Sequence, residues 1–205
     1  MKPIWIRWII FLWVIVVTGI FLSGCSGIIR DFPETHLFVI ESPEINASAE
    51  GFETGRGLLI RQFDISAEFE SSFFVYKVSD NRFINDYYNK FMVSPARMIS
   101  DAVRDALDGS VYFRQVPASE PDRIMYRLSG KITHLYADIQ DPSHPRAVMA
   151  LRLLLEKQTG SGFMPVINQV YSAVEPASEN RPDTLARAWN LCLEKVITKF
   201  LADLQ

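Results

Sequence analysis

"FFVYKVSDNRFINDYYNKFMVSPARMISDAVRDAL", residues 73–107, sets two structural periods side by side. Phe73 to Val78 and Arg82 to Tyr88 are strand-like runs rich in aromatic and β-branched residues, parted by Ser79, Asp80 and Asn81. Asp and Asn accept the turn conformations a hairpin needs, so this segment predicts a β-hairpin. From Ser94 the period changes. Ser94 is a capping residue, and Pro95 suits a first turn where no amide hydrogen is required. Ile99, Ala102, Val103, Ala106 and Leu107 then fall on one helical face, with Arg97, Asp101, Arg104 and Asp105 outward. Gly109 is the natural stop. The unit is strand, strand, amphipathic helix.

Three strands and a helix follow. Ile124 to Ile139 is a long strand in which Tyr126, Leu128, Ile132, His134 and Tyr136 alternate to one side, with Gly130 marking a bulge. Ala147 to Leu155 places Met149, Leu151, Leu153 and Leu155 on one face, and Phe163 to Val174 pairs back across "TGSG", residues 159–162. A last helix runs from about Pro182 to Leu204. Its stripe of Leu185, Trp189, Cys192, Val196 and Phe200 is widened by Leu193, Ile197 and Leu201, so it must pack on a sheet. Toward the N-terminus, Gly57 to Ile65 has strand character, residues 42–57 read as loop, and His36 to Ile40 is a short strand. Strands joined by hairpins, with a helix after each group, imply an α+β fold. The expected sheet is mostly antiparallel, with both amphipathic helices on one face.

The first residues carry a different signal. Lys2 and Arg7 precede an apolar run from Trp8 to Leu22, and no acidic residue occurs before Asp31. A basic start, an apolar stretch and a small-residue site describe a secretory signal. The run is short for a membrane span, which takes roughly 20 residues. Leu22, Ser23, Gly24 and Cys25 resemble the bacterial lipobox, in which the cysteine thiol is acylated and the chain cut before it. The resemblance implies residues 1–24 as signal peptide, Cys25 as lipidation site and residues 25–35 as a tether. Ser26, standing where Asp would favour the inner membrane, implies sorting to the outer membrane. An uncleaved anchor would leave the rest of the chain on the same outer side, because Lys2 and Arg7 hold the start inside.

Removing the first 24 residues leaves 181, enough for one domain with a core. That mature chain has 19 basic against 24 acidic residues, so its formal charge is −5. A mildly acidic chain has no basic footprint for nucleic acid. With Cys25 a thioether, Cys192 has no partner within the chain and reads as a small buried hydrophobe in the last helix.

Residues 73–107, the long strand "YRLSGKITHLYADI" and the closing elements at 147–204 are similar to the ABC-type transport auxiliary lipoprotein family. The similarity spans residues 36–205 and lies in apolar and aromatic patterning. It implies an outer-membrane lipoprotein on the periplasmic face, beside an MCE-type (paraquat-inducible-type) lipid transport system. Implied partners are a periplasmic MCE-type protein and the membrane through the lipid anchor, with phospholipid and further copies of the chain as other candidates. The rival reading is a structural lipoprotein of an envelope or secretion complex.

Catalytic signatures are missing from the chain. No GxxxxGK[ST] or GxSxG occurs. His36, His134 and His144 are far apart, and His134, alternating with Ile132 and Tyr136, reads as a core or edge histidine. Asp138, Asp141 and His144 share a proline-rich turn, but nothing holds them at metal-ligand spacing, so a solvated loop is the better reading. No metal, cofactor or enzyme activity is expected. Tyr87 and Tyr88, followed by Asn89 and Lys90, are the candidate contact residues. Adjacent strand residues face opposite ways, so at least one tyrosine is available to a partner or lipid chain through Tyr87, Tyr88 and Lys90. Ordinary packing is the competing reading.

Overall fold

A computed structural model describes residues 34–45, 55–108 and 110–204, together with Trp5, Trp8 and Trp13. The chain divides into residues 1–33 and residues 34–205. In the first unit the three described tryptophans are helical and exposed. Among the described residues no helix is long and apolar enough to cross a membrane.

The second unit is built on one long strand. β1 (His36–Phe38), β2 (Arg56–Ile60), β3 (Asp64–Ile65), β4 (Phe73–Ser79) and β5 (Arg82–Phe91) precede helix α1 (Pro95–Asp108). β6 (Phe113–Gln115), β7 (Tyr126–Asp138), β8 (Arg146–Thr159), β9 (Gly162–Pro176) and helix α2 (Pro182–Ala202) follow. β7, β8 and β9 form an antiparallel meander, and β8 and β9 turn at Thr159 and Gly162. Along the opposite edge of β7 lie β2, β3 and β4 in succession, all parallel to it. β6 extends the sheet beyond β2, and β5 then β1 extend it beyond β4. The fold is α+β, as expected, and the three long ladders are antiparallel. The short ladders make the sheet mixed.

The segment from Arg56 to Ser79 is thus one broken strand along β7, with two excursions. The first, at 61–63, interrupts the single strand expected over 57–65. It tucks Phe63 onto Gly130, where a Cβ would stand 2.9 Å from the ring. Gly130 is therefore a site of close approach and not a bulge. The second excursion, at 66–72, lays buried Phe69 against the opposite sheet face, its ring stacked 6.0 Å from Tyr136.

The bulge in β7 falls at Thr133, where pairing with β8 steps from Ile132–Leu151 to His134–Ala150. That extra residue reverses the alternation. Tyr126, Leu128 and Ile132 point to the helix side and are buried; beyond the bulge Leu135 and Ala137 take over. His134 and Tyr136 are thereby moved to the other face. His134 is exposed on a central strand, neither in the core nor on an edge.

Both helices cover the helix side. Ile99, Val103, Ala106 and Leu107 of α1 are buried in the core with Leu58, Phe63 and Leu128. Ser100 Oγ accepts the Phe63 amide at 2.8 Å, which ties the first excursion to α1. Trp189 of α2 meets Phe74 and Phe91 at ring distances of 4.8 and 5.4 Å and donates its indole N–H to Tyr136 O. Met149, Leu151, Leu153 and Leu155 lie beneath, as their spacing predicts. Cys192 is fully buried, and desolvation first, with the Glu175 charge second, pushes its thiol up to about 12. A thiol so held is a packing atom.

Candidate functional site

The strand pairing of β5 breaks at the residues singled out above. Phe74 pairs with Asp86, yet Phe73 pairs with Lys90. Tyr87, Tyr88 and Asn89 therefore bulge between them without a partner in β4, while Asn89 pairs with His36 of β1. The bulge is held by Asp86. Its Oδ1 accepts the amides of Tyr88 at 3.0 Å and Asn89 at 3.1 Å. Its Oδ2 accepts the Asn89 side-chain amide at 2.8 Å and the Tyr76 hydroxyl at 3.0 Å. A carboxylate accepting local backbone amides is how Asp stabilises non-ladder conformations. Burial, then the Asp86 charge and hydrogen bond, raise the Tyr76 phenol well above its ordinary value, so it stays a donor.

The consequence is exposure of both tyrosines, 65 % for Tyr87 and 49 % for Tyr88. Simple alternation would expose one and bury the other. Tyr87 is braced edge-on against Phe73 at 5.0 Å. Lys90, half-buried, sits beside Phe73 on one side and Leu37 of β1 on the other. Met92 N–H donates to Phe38 O, which brings exposed Met92 next to exposed Val39. Leu37, Val39, Tyr87, Tyr88 and Met92 are thus all exposed along β1 and the adjoining end of β5, with Lys90 among them. Asp86 is the residue sequence reasoning missed. The signal was there, since Asp followed three residues later by Asn interrupts a strand run and both disfavour strands.

The other candidates are not brought together. Cys25 and Ser26 lie outside the described residues. Asp141 Oδ2 takes His144 Nδ1 at 2.7 Å, while Asp138 Oδ2 takes Arg146 at 2.7 Å. Burial works to raise the Asp138 carboxyl, but hydrogen bonds from Gln140 and the Arg146 pair outweigh it and hold it below the usual carboxylate range. Among the described residues no group of three or more His, Cys, Asp or Glu is arranged to hold a metal ion.

No family model matches the chain, and no curated protein does. Solved structures do. Protein XCC0632 from Xanthomonas campestris, of the DUF330 family, superposes with a TM-score of 0.66 at 16 % identity, over 82 % of this chain and 92 % of that one. An uncharacterized protein matches with a TM-score of 0.62 at 13 % identity, covering 84 % and 99 %. The hypothetical protein CT253 from Chlamydia trachomatis matches at 0.54 and 6 % identity, over 73 % and 98 %. At such identities the likeness is one of fold: this meander with two helices on one side is an architecture that other proteins share over nearly their whole length.

Proposed function

We propose that the chain is a lipid-anchored, non-enzymatic periplasmic domain of the outer membrane that serves an MCE-type lipid transport system. Its role is to dock the periplasmic bridge at that membrane. The anchor is Cys25, and the docking residues are Tyr87, Tyr88 and Lys90. The observation that carries the reading is the Asp86-held bulge in β5, which leaves two tyrosines unpaired with β4 and exposed, as Leu37, Val39 and Met92 are. Tyrosines suit such a surface because they give large contact area while their hydroxyls tolerate water. Confinement to the membrane plane raises the effective concentration of the domain for a partner arriving there.

The test is a pull-down with the MCE-type protein, run beside a thermal melt. Tyr87→Ala or Tyr88→Ala should weaken binding about thirtyfold, or about 2 kcal/mol, if either residue is a hot spot. The melt should be nearly unchanged, because neither side chain is core. Normal binding by both variants would place the docking surface elsewhere. Absence of any MCE-type partner in the pull-down, with the anchor intact, would favour a structural lipoprotein of an envelope complex.

A further inference from the structure

β9 forms the far edge of the sheet from Tyr87 and Tyr88. It pairs with β8 along its length, and among the described residues no strand lies on its other side. The direction of its free backbone groups follows from two hydrogen bonds. Thr133 Oγ1 donates to Ala150 O at 3.2 Å, so the Ala150 carbonyl faces β7. Ser172 lies directly opposite Ala150, so in an antiparallel pair its amide and carbonyl point away from β8. Lys199 Nζ, reaching from α2, donates to Ser172 O at 2.6 Å, which agrees. The two-residue repeat gives Asn168, Val170 and Val174 the same orientation.

Apart from Lys199 at Ser172 O, those four residues form a bare edge. Natural edges are blunted by charges, prolines or covering elements. Between Val166 and Val174 there is no proline and no charged residue. Pro165 and Pro176 flank the stretch and limit it to these positions. Val170 and Val174 are 43 % and 50 % exposed, while the alternate residues Tyr171, Ala173 and Glu175 are buried beneath α2. The local charge is complementary to an anion. Among the described residues, Arg152, exposed and opposite Val170, and Lys199 have no carboxylate partner. Glu175 is paired with Lys195 at 2.5 Å, while Asp203 accepts the Tyr171 hydroxyl at 2.7 Å and keeps its charge, so three cations face two carboxylates here.

We propose that this edge accepts an extended segment of a partner protein as an added strand. Its backbone pairs with Asn168, Val170, Ser172 and Val174, and alternate apolar side chains lie against the two valines. One carboxylate of the segment meets Lys199, which releases Ser172 O to the incoming amide. Backbone pairing supplies affinity and the alternate side chains supply selectivity. This inference does not depend on the docking role of Tyr87 and Tyr88.

The probe is a synthetic heptapeptide, Thr-Val-Thr-Val-Glu-Val-Thr with blocked ends, added to the full-length protein in detergent micelles. Amide exchange across residues 166–176 is the readout. The peptide should slow it about tenfold or more at saturation. Ser172→Pro removes an outward amide that the fold does not use, so it should melt as the wild type does and lose the protection. Should Ser172→Pro fail to fold, the pair Val170→Lys and Val174→Lys blunts the edge without touching the backbone. No slowing by the peptide, or equal slowing in the blunted variants, overturns the proposal. Slowing that follows protein concentration without peptide assigns the edge to a second copy, and overturns it too.

Discussion

Gly130 shows how one missing Cβ organises its neighbourhood. Phe63 can occupy the space above β7 only because nothing projects from residue 130. Gly130→Ala forces the ring aside, an overpacking cost of about 1–3 kcal/mol. The variant should therefore show a lowered urea midpoint, and Phe63→Leu in the same chain should recover part of the loss. Additive losses from the two changes would mean that the contact is not the cause. Asp138 gives a pH test. Its carboxyl is held below the ordinary range in the folded state, so its contribution is present above about pH 3.9, the unfolded value. That contribution fades as pH falls through the lower folded value. The stability difference between wild type and Asp138→Asn should be largest near neutrality and shrink below about pH 4. A difference constant down to acid pH would rule out the Arg146 pair as its source. The sequence named Gly130 as special but not why: a glycine in a strand run signals a bulge or a close approach, and only the position of Phe63 distinguishes them.

Among the elements, β5 and β7 each contain an irregularity that decides which side chains meet solvent. In β5 the Asp86 carboxylate replaces ladder partners for the amides of Tyr88 and Asn89. Asp86→Ala should cost about 1–2 kcal/mol, since each net hydrogen bond contributes modestly and water can reach the exposed amides. Amide exchange at residues 87–90 should quicken more than that of β8. Unchanged local exchange would show that the bulge holds itself without the carboxylate. In β7 the extra residue at Thr133 moves His134 and Tyr136 to the helix-free face. Strict period-two reading puts both beneath the helices, because sequence alternation carries no mark where the register slips by one. The helices were legible in full. Their apolar stripes are continuous, so α1 and α2 match their expected limits within a residue or two, although the expected stop at Gly109 lies outside the described residues.

At the scale of the whole molecule, the lipobox resemblance makes a prediction about the precursor. Cys25→Ala should block acylation and signal cleavage together, and intact mass of the membrane-extracted protein is the check. A wild-type chain that is cleaved yet unmodified would end the lipoprotein reading. Tyr87 in β5 and the edge strand β9 stand at opposite sides of the sheet, so the two proposed contacts do not overlap. By itself the sequence determined the class of fold, the two helices, the hairpins β4–β5 and β8–β9, and the face of β8 that is buried. These depend on local periodicity and turn chemistry, which neighbouring residues carry. Only the tertiary structure decided that β2, β3 and β4 run parallel along β7, that β9 is left as an edge, and that Asp86 turns out both tyrosines. Those outcomes come from pairing between segments far apart in the chain. Backbone hydrogen bonds that are alike for nearly every residue leave no trace in local sequence of which strand will be the neighbour.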